Sequence, residues 1–277
     1  MRINLRHILV PVLTALSCSL LSSCGLPVLL ASDADPIPAP VQPAPVTRNT
    51  KYVAPTVKPP APRNPSISLS SDISGNSQVT WTRGSANNKY IALTFDDGPV
   101  SSNTTRLLDI LKRRNIKATF YVLGNRVKGN QSLVRRMVAE GHELGNHTWT
   151  HGKLTNMSDS QVRSELNRNR DAIVAATGIK PRTMRPPYGA LTTRQRSWIF
   201  KEYGYPTILW DVDPQDWKKP GVSVVRDRIV SKTRNGSIIL LHDLHSVSVD
   251  AVPSTVDALL RKGYKFVTVS QLIALSK

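Results

Sequence analysis

Cysteine is almost missing from this sequence: among 277 residues only Cys18 and Cys24 are cysteines, both near the amino terminus. Everything beyond them must fold without a disulfide. Acidic residues are scarce too, 19 against 37 lysines and arginines, which leaves a formal net charge of +18 at pH 7. That balance suits anionic partners. Nucleic acid is excluded as the partner on pattern. The basic residues are scattered through Lys112-Arg113-Arg114, Arg135-Arg136, Lys218-Lys219 and Arg261-Lys262, with no recognisable nucleic-acid motif. Long hydrophobic runs are missing as well, because the apolar stretch Ile8 to Leu21 is too short to span a bilayer comfortably.

That stretch follows Arg2 and Arg6 and has the shape of a signal peptide. Its end, Leu21-Ser22-Ser23-Cys24, resembles a bacterial lipobox, in which the cysteine becomes the lipidated first residue of the mature protein. Residues 1–24 are thus expected to export the chain. A lipid on Cys24 would tether it to a bacterial membrane, facing the cell wall or periplasm, where wall polymers and phospholipid head groups are the first anions met. An ordinary cleaved signal peptide, with Cys24 incidental, is the alternative. Next comes DPIPAPVQPAPVTRNTKYVAPTVKPPAPRNP, from Asp35 to Pro65, which favours polyproline II and offers few side chains to a core. Residues 66–88 are rich in serine and asparagine with little apolar periodicity. The reading is a spacer over 25–88 and one folded domain over 89–277.

From Lys89 the texture changes. Short apolar or β-branched runs at Tyr90-Phe95, Ala118-Leu123, Glu143-Asn146, Thr183-Arg185, Pro206-Trp210, Ile238-Leu241 and Lys265-Val267 predict seven buried strands. Helical periodicity intervenes over Thr104-Arg114, Gln131-Glu140, Val222-Thr233, Ser254-Lys262 and Val269-Leu275. A capping box at Ser158-Asp159-Ser160-Gln161 opens another helix, which Gly178 closes. Strands alternating with helices imply a parallel α/β architecture, and seven strands favour a barrel over an open sheet. In a barrel the loops after each strand converge on one mouth, so catalytic groups belong at strand ends.

The polar motifs fall at those ends. After the first strand comes Thr94-Phe95-Asp96-Asp97-Gly98-Pro99, whose adjacent carboxylates repel unless a metal ion takes one and leaves the other as a base. After the third comes His147-Thr148-Trp149-Thr150-His151. If that stretch turns helically, both imidazoles face one side, and two histidines with one carboxylate leave a coordination position for water. Arg185-Pro186-Pro187-Tyr188-Gly189 follows the fourth strand and Asp211-Val212-Asp213-Pro214-Gln215-Asp216-Trp217 the fifth. The sixth delivers Leu240-Leu241-His242-Asp243.

TFDDGP, HTWTH, RPPYG, DPQDW and LLHD, in that order between Tyr90 and Ser276, resemble the five motifs of the polysaccharide deacetylase family, the NodB-homology domain of carbohydrate esterase family 4. The resemblance implies a distorted (β/α)7 barrel and a metal-dependent hydrolase that removes N-acetyl groups from a glycan. It implies that Asp97, His147 and His151 bind one divalent metal, zinc first, with cobalt, nickel or manganese as alternatives. Asp96 would be the catalytic base, oriented by Arg185, and His242 the general acid, oriented and tuned by Asp216. Trp217 and Leu240 would wall the acetyl pocket, and the Tyr188 N–H would help stabilise the oxyanion. Beside a wall, N-acetylglucosamine units of peptidoglycan are the expected substrate, ahead of chitin-type oligosaccharides and acetylxylan. A catalytically silent, lipid-anchored glycan-binding module is the reading from another class.

Overall fold

The computed structural model describes residues 61–85 and 87–276. The expected signal peptide, the lipobox with Cys24, and the proline-rich stretch as far as residue 60 lie outside the described residues. The elements run β1 Thr80–Trp81, β2 Tyr90–Asp96, α1 Ser101–Arg113, β3 Thr119–Val122, α2 Gly124–Gly129, α3 Gln131–Ala139, β4 Glu143–Asn146 and α4 Asp159–Thr177. There follow α5 Thr193–Tyr203, β5 Thr207–Ile208, α6 Val222–Lys232, β6 Ile238–His242, α7 Ser246–Arg261, β7 Lys265–Val267 and α8 Val269–Ala274.

Strand β2, YIALTFD, is buried on both faces beyond its first residue, as expected of a central strand in a parallel sheet covered on each side. It pairs in parallel with β3, Thr94 opposite Thr119, and with β6, Ala92 opposite Ile238 and Asp96 opposite His242. Its first half also pairs with β7. Beyond β3 lies β4. Single parallel bridges then join Asn146 to Met184, Met184 to Thr207, and Val212 to Ile239. Together these contacts carry the ring from β4 through the β5 region back to β6, so the strands close into a distorted barrel. The strand expected at Thr183-Arg185 is reduced to Met184 alone. Pro181, Pro186 and Pro187 flank it and have no N–H to donate, so a longer ladder cannot form.

Helices cover the barrel with the faces the periodicity selects. Helix α1 buries Leu107, Leu108 and Leu111 against the sheet, each worth about 1.5–3 kcal/mol. Helix α4 begins at the Ser158/Gln161 capping box and stops at Gly178 in the left-handed region, φ 73°. Helix α7 starts eight residues before the expected Ser254 and carries Pro253 in its interior. The proline removes one helical hydrogen bond, but Val249, Val252, Val256 and Leu259 are buried along the same helix and outweigh that loss.

The domain boundary expected at Lys89 is too late. Strand β1 pairs in parallel with β5, placing Trp81 opposite Ile208, and Trp81 is 4% exposed within a cluster that includes Ile208, Ile238 and Leu272. Further upstream, the buried Asn64 side chain donates to Phe266 O at 3.0 Å and accepts from Phe266 N at 2.8 Å, extending the edge of β7. The Asn64 amide, the Trp81 indole, the β1 backbone and the partly buried Ile67, Leu69 and Ile73 thus tie residues 64–81 into the domain, although the segment shows little apolar periodicity in sequence.

Candidate active site

The carboxyl ends of the strands gather at one mouth. Strand β2 ends at Asp96 and passes directly into Asp97, whose φ is 73°. Gly98 follows because nothing larger fits: a Cβ there would lie 2.3 Å from the Asp243 carboxylate. Strand β4 delivers His147 through His151. This stretch is not a helix; Thr148 and His151 both take positive φ, 70° and 66°, in a turn held from outside by α4. Glu165 accepts from the N–H groups of Trp149 and Thr150 at 2.9 and 2.8 Å. Asn169 donates to Val122 O and Thr148 O, both at 2.7 Å. Two residues one helical turn apart on α4 therefore bring the imidazoles together where helical spacing was expected to.

Asp97, His147 and His151 each present one ligand atom, all within 4.8 Å of one another. Asp97 Oδ1 stands 3.2 Å from His147 Nε2 and 3.1 Å from His151 Nε2, yet it is buried with no hydrogen-bond partner. His147 Nδ1 lies 2.7 Å from the Arg185 carbonyl. A carbonyl only accepts, so Nδ1 carries the proton and Nε2 turns its lone pair to the cluster. Burial, together with the charges of its histidine neighbours, lowers His151 below its ordinary value despite the nearby carboxylates, which favours the neutral ring a ligand needs. Burial works against ionising Asp97, but the imidazoles gathered around it, His147 first and then His151 and His242, prevail and hold its carboxyl well below the usual range. Lone pairs converging on an orphaned buried oxygen fit a divalent cation, and the donor set of two imidazoles and one carboxylate suits an open catalytic site.

Around that cluster stand two buried pairs. Asp96 Oδ1 accepts from Arg185 Nη1 at 2.7 Å, and its other oxygen faces His147 Nε2 at 3.8 Å. Arg185 is fully buried and donates further to Thr94 Oγ1 at 2.7 Å and to the carbonyls of Ile208 and Leu209 at 3.2 and 3.0 Å. Across the β2–β6 ladder, His242 Nδ1 binds Asp216 Oδ1 at 2.9 Å. Asp216 Oδ2 accepts from the His242 N–H at 2.8 Å and from the Ser248 hydroxyl. Burial alone would push His242 down. The bond to Asp216 and the charges of Asp216, Asp96 and Asp97 outweigh it and raise the imidazole to about 9.

Asp96, Asp97, His147, His151 and His242 line a cavity of about 500 Å³ walled by Tyr188, Trp217 and Leu240. Leu240 is buried, whereas Tyr188 and Trp217 are 68% and 50% exposed, so the two rings stand up at the rim. A cleft of about 520 Å³ at the other end of the barrel is lined by Trp81, Tyr203 and Tyr205 and contains no carboxylate or imidazole. Of the site residues expected from sequence, Asp96, Asp97, His147, His151, Tyr188, Trp217, Leu240 and His242 line this cavity, Arg185 and Asp216 stand behind Asp96 and His242, and Cys24 lies outside the described residues. Sequence reasoning missed the groups that hold them: Thr94, Glu165, Asn169 and Ser248. It also missed His245, Trp210 and Asp213 in the cavity wall. Of the three acids after the fifth strand, only Asp216 meets His242; Asp211 accepts instead from Ser237 and the Ile238 N–H. Asp243, buried beside Gly98 and hydrogen-bonded by Thr104, is raised to about 7, chiefly by burial.

The family model for polysaccharide deacetylases matches residues 83–208. A peptidoglycan-N-acetylglucosamine deacetylase of Bacillus cereus is 37% identical over 213 residues, covering 74% of this chain and 97% of the relative. The peptidoglycan-N-acetylglucosamine deacetylase PgdA of Listeria monocytogenes is 43% identical over 185 residues, 67% of this chain and 39% of its own. The chain thus spans about two fifths of the length of that relative. Among solved structures, the peptidoglycan deacetylase PdaC of Bacillus subtilis superposes with a TM-score of 0.64 at 41% identity, covering 68% of this chain and 91% of that one. A CE4 family pseudoenzyme from Bacillus anthracis superposes with a TM-score of 0.66 at 32% identity, covering 69% and 68%. Fold, motif order and a relative matched over nearly its whole length agree: the chain belongs to the polysaccharide deacetylase family.

Proposed function

We propose that this protein hydrolyses N-acetyl groups on N-acetylglucosamine units of a cell-wall glycan, releasing acetate and leaving a free amino sugar. The observation that carries this reading is the ladder pair Asp96 and His242, a carboxylate and a raised imidazole on adjacent strands beside the Asp97, His147 and His151 cluster. Amide hydrolysis needs a base to activate water and an acid to protonate the departing amine, and the pair supplies one of each.

A divalent metal held by Asp97, His147 and His151 would supply Lewis-acid polarisation of the acetamide carbonyl and a more acidic water. Zinc best suits that donor set, and cobalt, nickel and manganese fit similar ones. Asp96, one oxygen fixed by Arg185, takes the proton of the attacking water on its other oxygen. His242 carries the proton that the leaving amine receives, and Asp216 keeps the ring charged and aimed. Trp217 and Leu240 enclose the acetyl methyl, and the Tyr188 N–H donates to the developing oxyanion.

Export and a lipid on Cys24 would bring this mouth to the wall, and the relatives named for peptidoglycan support that substrate over chitin-type oligosaccharides and acetylxylan. The pseudoenzyme among the structural neighbours makes a silent glycan-binding module the second reading; the intact Asp96–Arg185 and His242–Asp216 pairs argue against it. Acetate release from peptidoglycan, chitin oligomers and acetylxylan, with and without a chelator, tests both. Chelator-sensitive release from peptidoglycan is expected, and glycan binding with no release from any of the three overturns the enzymatic reading.

A further inference from the structure

The turn after β5 carries a charge pair that the deacetylation chemistry does not use. Lys218 and Lys219 follow Trp217 directly, both are exposed, and neither has a carboxylate partner among the described residues. Lys218 Nζ stands 4.9 Å from the centre of the Trp217 ring, so one ammonium is carried on the aromatic wall of the cavity. Lys219, the next residue, is near enough to the mouth for its charge to be among the causes, after burial and His242, that push His245 down; His245 lines the cavity, 6.4 Å from the His242 ring.

The backbone holds this arrangement at a cost. Gln215 and Lys219, at the two ends of the turn, both lie in the left-handed region, φ 56° and 52°, where glycine would be free of strain and a side chain costs about 1 kcal/mol. Internal bonds lock it further. Asp213 Oδ1 accepts from the Gln215 N–H at 2.7 Å, Arg228 Nη1 donates to Pro214 O at 2.8 Å, and the Lys219 N–H donates to Asp216 O at 2.8 Å. Asp213 lines the cavity, and one of its oxygens is occupied by the turn. The same short segment therefore positions Asp216 behind His242, Trp217 on the wall and two exposed ammonium groups beside it, Lys218 Nζ donating only to the neutral Gln215 Oε1 at 3.5 Å. A glycan unit lying beside Trp217 would meet the Lys218 ammonium, 4.9 Å from the ring centre.

We infer that Lys218 and Lys219 form a carboxylate-reading rim, by which the mouth favours an amino-sugar glycan bearing a carboxylate on the unit next to the one deacetylated. The inference rests on the deacetylase reading. A neutral oligomer would use the cavity without the rim, and a glycan with acidic substituents would use both. Because the ammonium groups are exposed, their contribution is modest and screened by salt, and it falls on binding rather than on the bond-breaking step.

The test compares wild type with the double variants K218Q/K219Q and K218R/K219R on three substrates: a neutral N-acetylglucosamine oligomer, a peptidoglycan-derived oligosaccharide with free carboxylates, and the same oligosaccharide with its carboxylates amidated. Removing both charges should lower kcat/KM about three- to tenfold on the carboxylated substrate, mostly through KM and more at low salt. The neutral and amidated substrates should be unaffected, and the arginine variant should behave as wild type. Equal losses on all three substrates, or no loss on any, overturns the inference while leaving the deacetylase reading intact. Failure of the wild type to release acetate from any of them overturns that reading and this one with it.

Discussion

Asp96 and Asp97 are adjacent in sequence, and replacing each with asparagine should break the enzyme in different ways. Asp97 Oδ1 is the oxygen that both imidazoles face, at 3.2 and 3.1 Å; Asp97→Asn substitutes a neutral amide for the only anionic donor in the cluster. Metal content should fall, and added metal should partly restore turnover. Asp96→Asn leaves all three donors in place. It should keep close to one metal per chain and lose general-base assistance, about 10²–10⁴-fold in rate, or about 2.7–5.5 kcal/mol at 1.36 kcal/mol per tenfold.

A stability cost accompanies the second change, and its size separates folding from chemistry. Removing one partner of a buried ion pair costs about 3–5 kcal/mol when the other charge is left bare. Arg185 would not be bare: it keeps Thr94, two backbone carbonyls and the face of Tyr121, 4.3 Å from the ring centre, and the asparagine oxygen still accepts from it. The loss should be nearer the ~1.5–3 kcal/mol of one charged hydrogen bond. Metal analysis after dialysis, acetate release per folded chain and a urea midpoint on both variants give the three readings. If Asp96→Asn loses its metal while Asp97→Asn keeps it, the two roles are reversed; wild-type turnover in both would remove this mouth from the chemistry altogether.

Three further outcomes follow from the same geometry. His242 must be protonated to act, so activity should persist below its raised value near 9 and fall as pH rises through it, the bound cation bringing the limb somewhat lower. Asp216→Asn removes the anion at 2.9 Å and should move that alkaline limb down by about 1–3 units in a pH–rate profile; an unmoved limb would mean another group is the acid. A fragment starting at Lys89 should be less stable in urea than one starting at residue 61 by at least ~3–5 kcal/mol, the usual cost of losing a buried tryptophan, because Trp81 and the Asn64 bonds go with the deleted residues; equal midpoints would show that residues 61–88 add nothing. Wild-type protein should fractionate with membranes and Cys24→Ala should not, and equal partitioning would dispose of the lipid anchor.

What could be read in advance, and what could not, divides by the range of the interaction. Strand β2 and helix α1 declare themselves because burial imposes a period on consecutive residues, and the site residues declare themselves because each sits at a strand's end beside a turn. Trp81 and Asn64 leave no such trace. Their partners lie 127 and 202 residues away in sequence, so no local pattern marks them and the spacer was read as running through them. Helix α7 departs in the opposite direction: the sequence reading starts it at Ser254, directly after Pro253, whereas valines and leucines packing on either side of that proline carry it back to Ser246. The H-x3-H spacing pointed to a pair of imidazoles that the structure does bring together beside Asp97, but by another route. Helical geometry was unnecessary, since Glu165 and Asn169 reach from α4 to bind the backbone of a turn whose residues no propensity would place at positive φ. The same division explains why the candidate catalytic groups were legible and their supports were not. A metal ligand or a proton carrier is restricted to a few residue types, so its identity is visible in sequence. A support needs only a donor or acceptor in the right place, and threonine, serine, asparagine and glutamate supply those anywhere in a chain. Tuning of the site therefore resides in Thr94, Glu165, Asn169 and Ser248, where substitution should alter metal affinity or the His242 profile without touching any of the five motifs' ionisable groups.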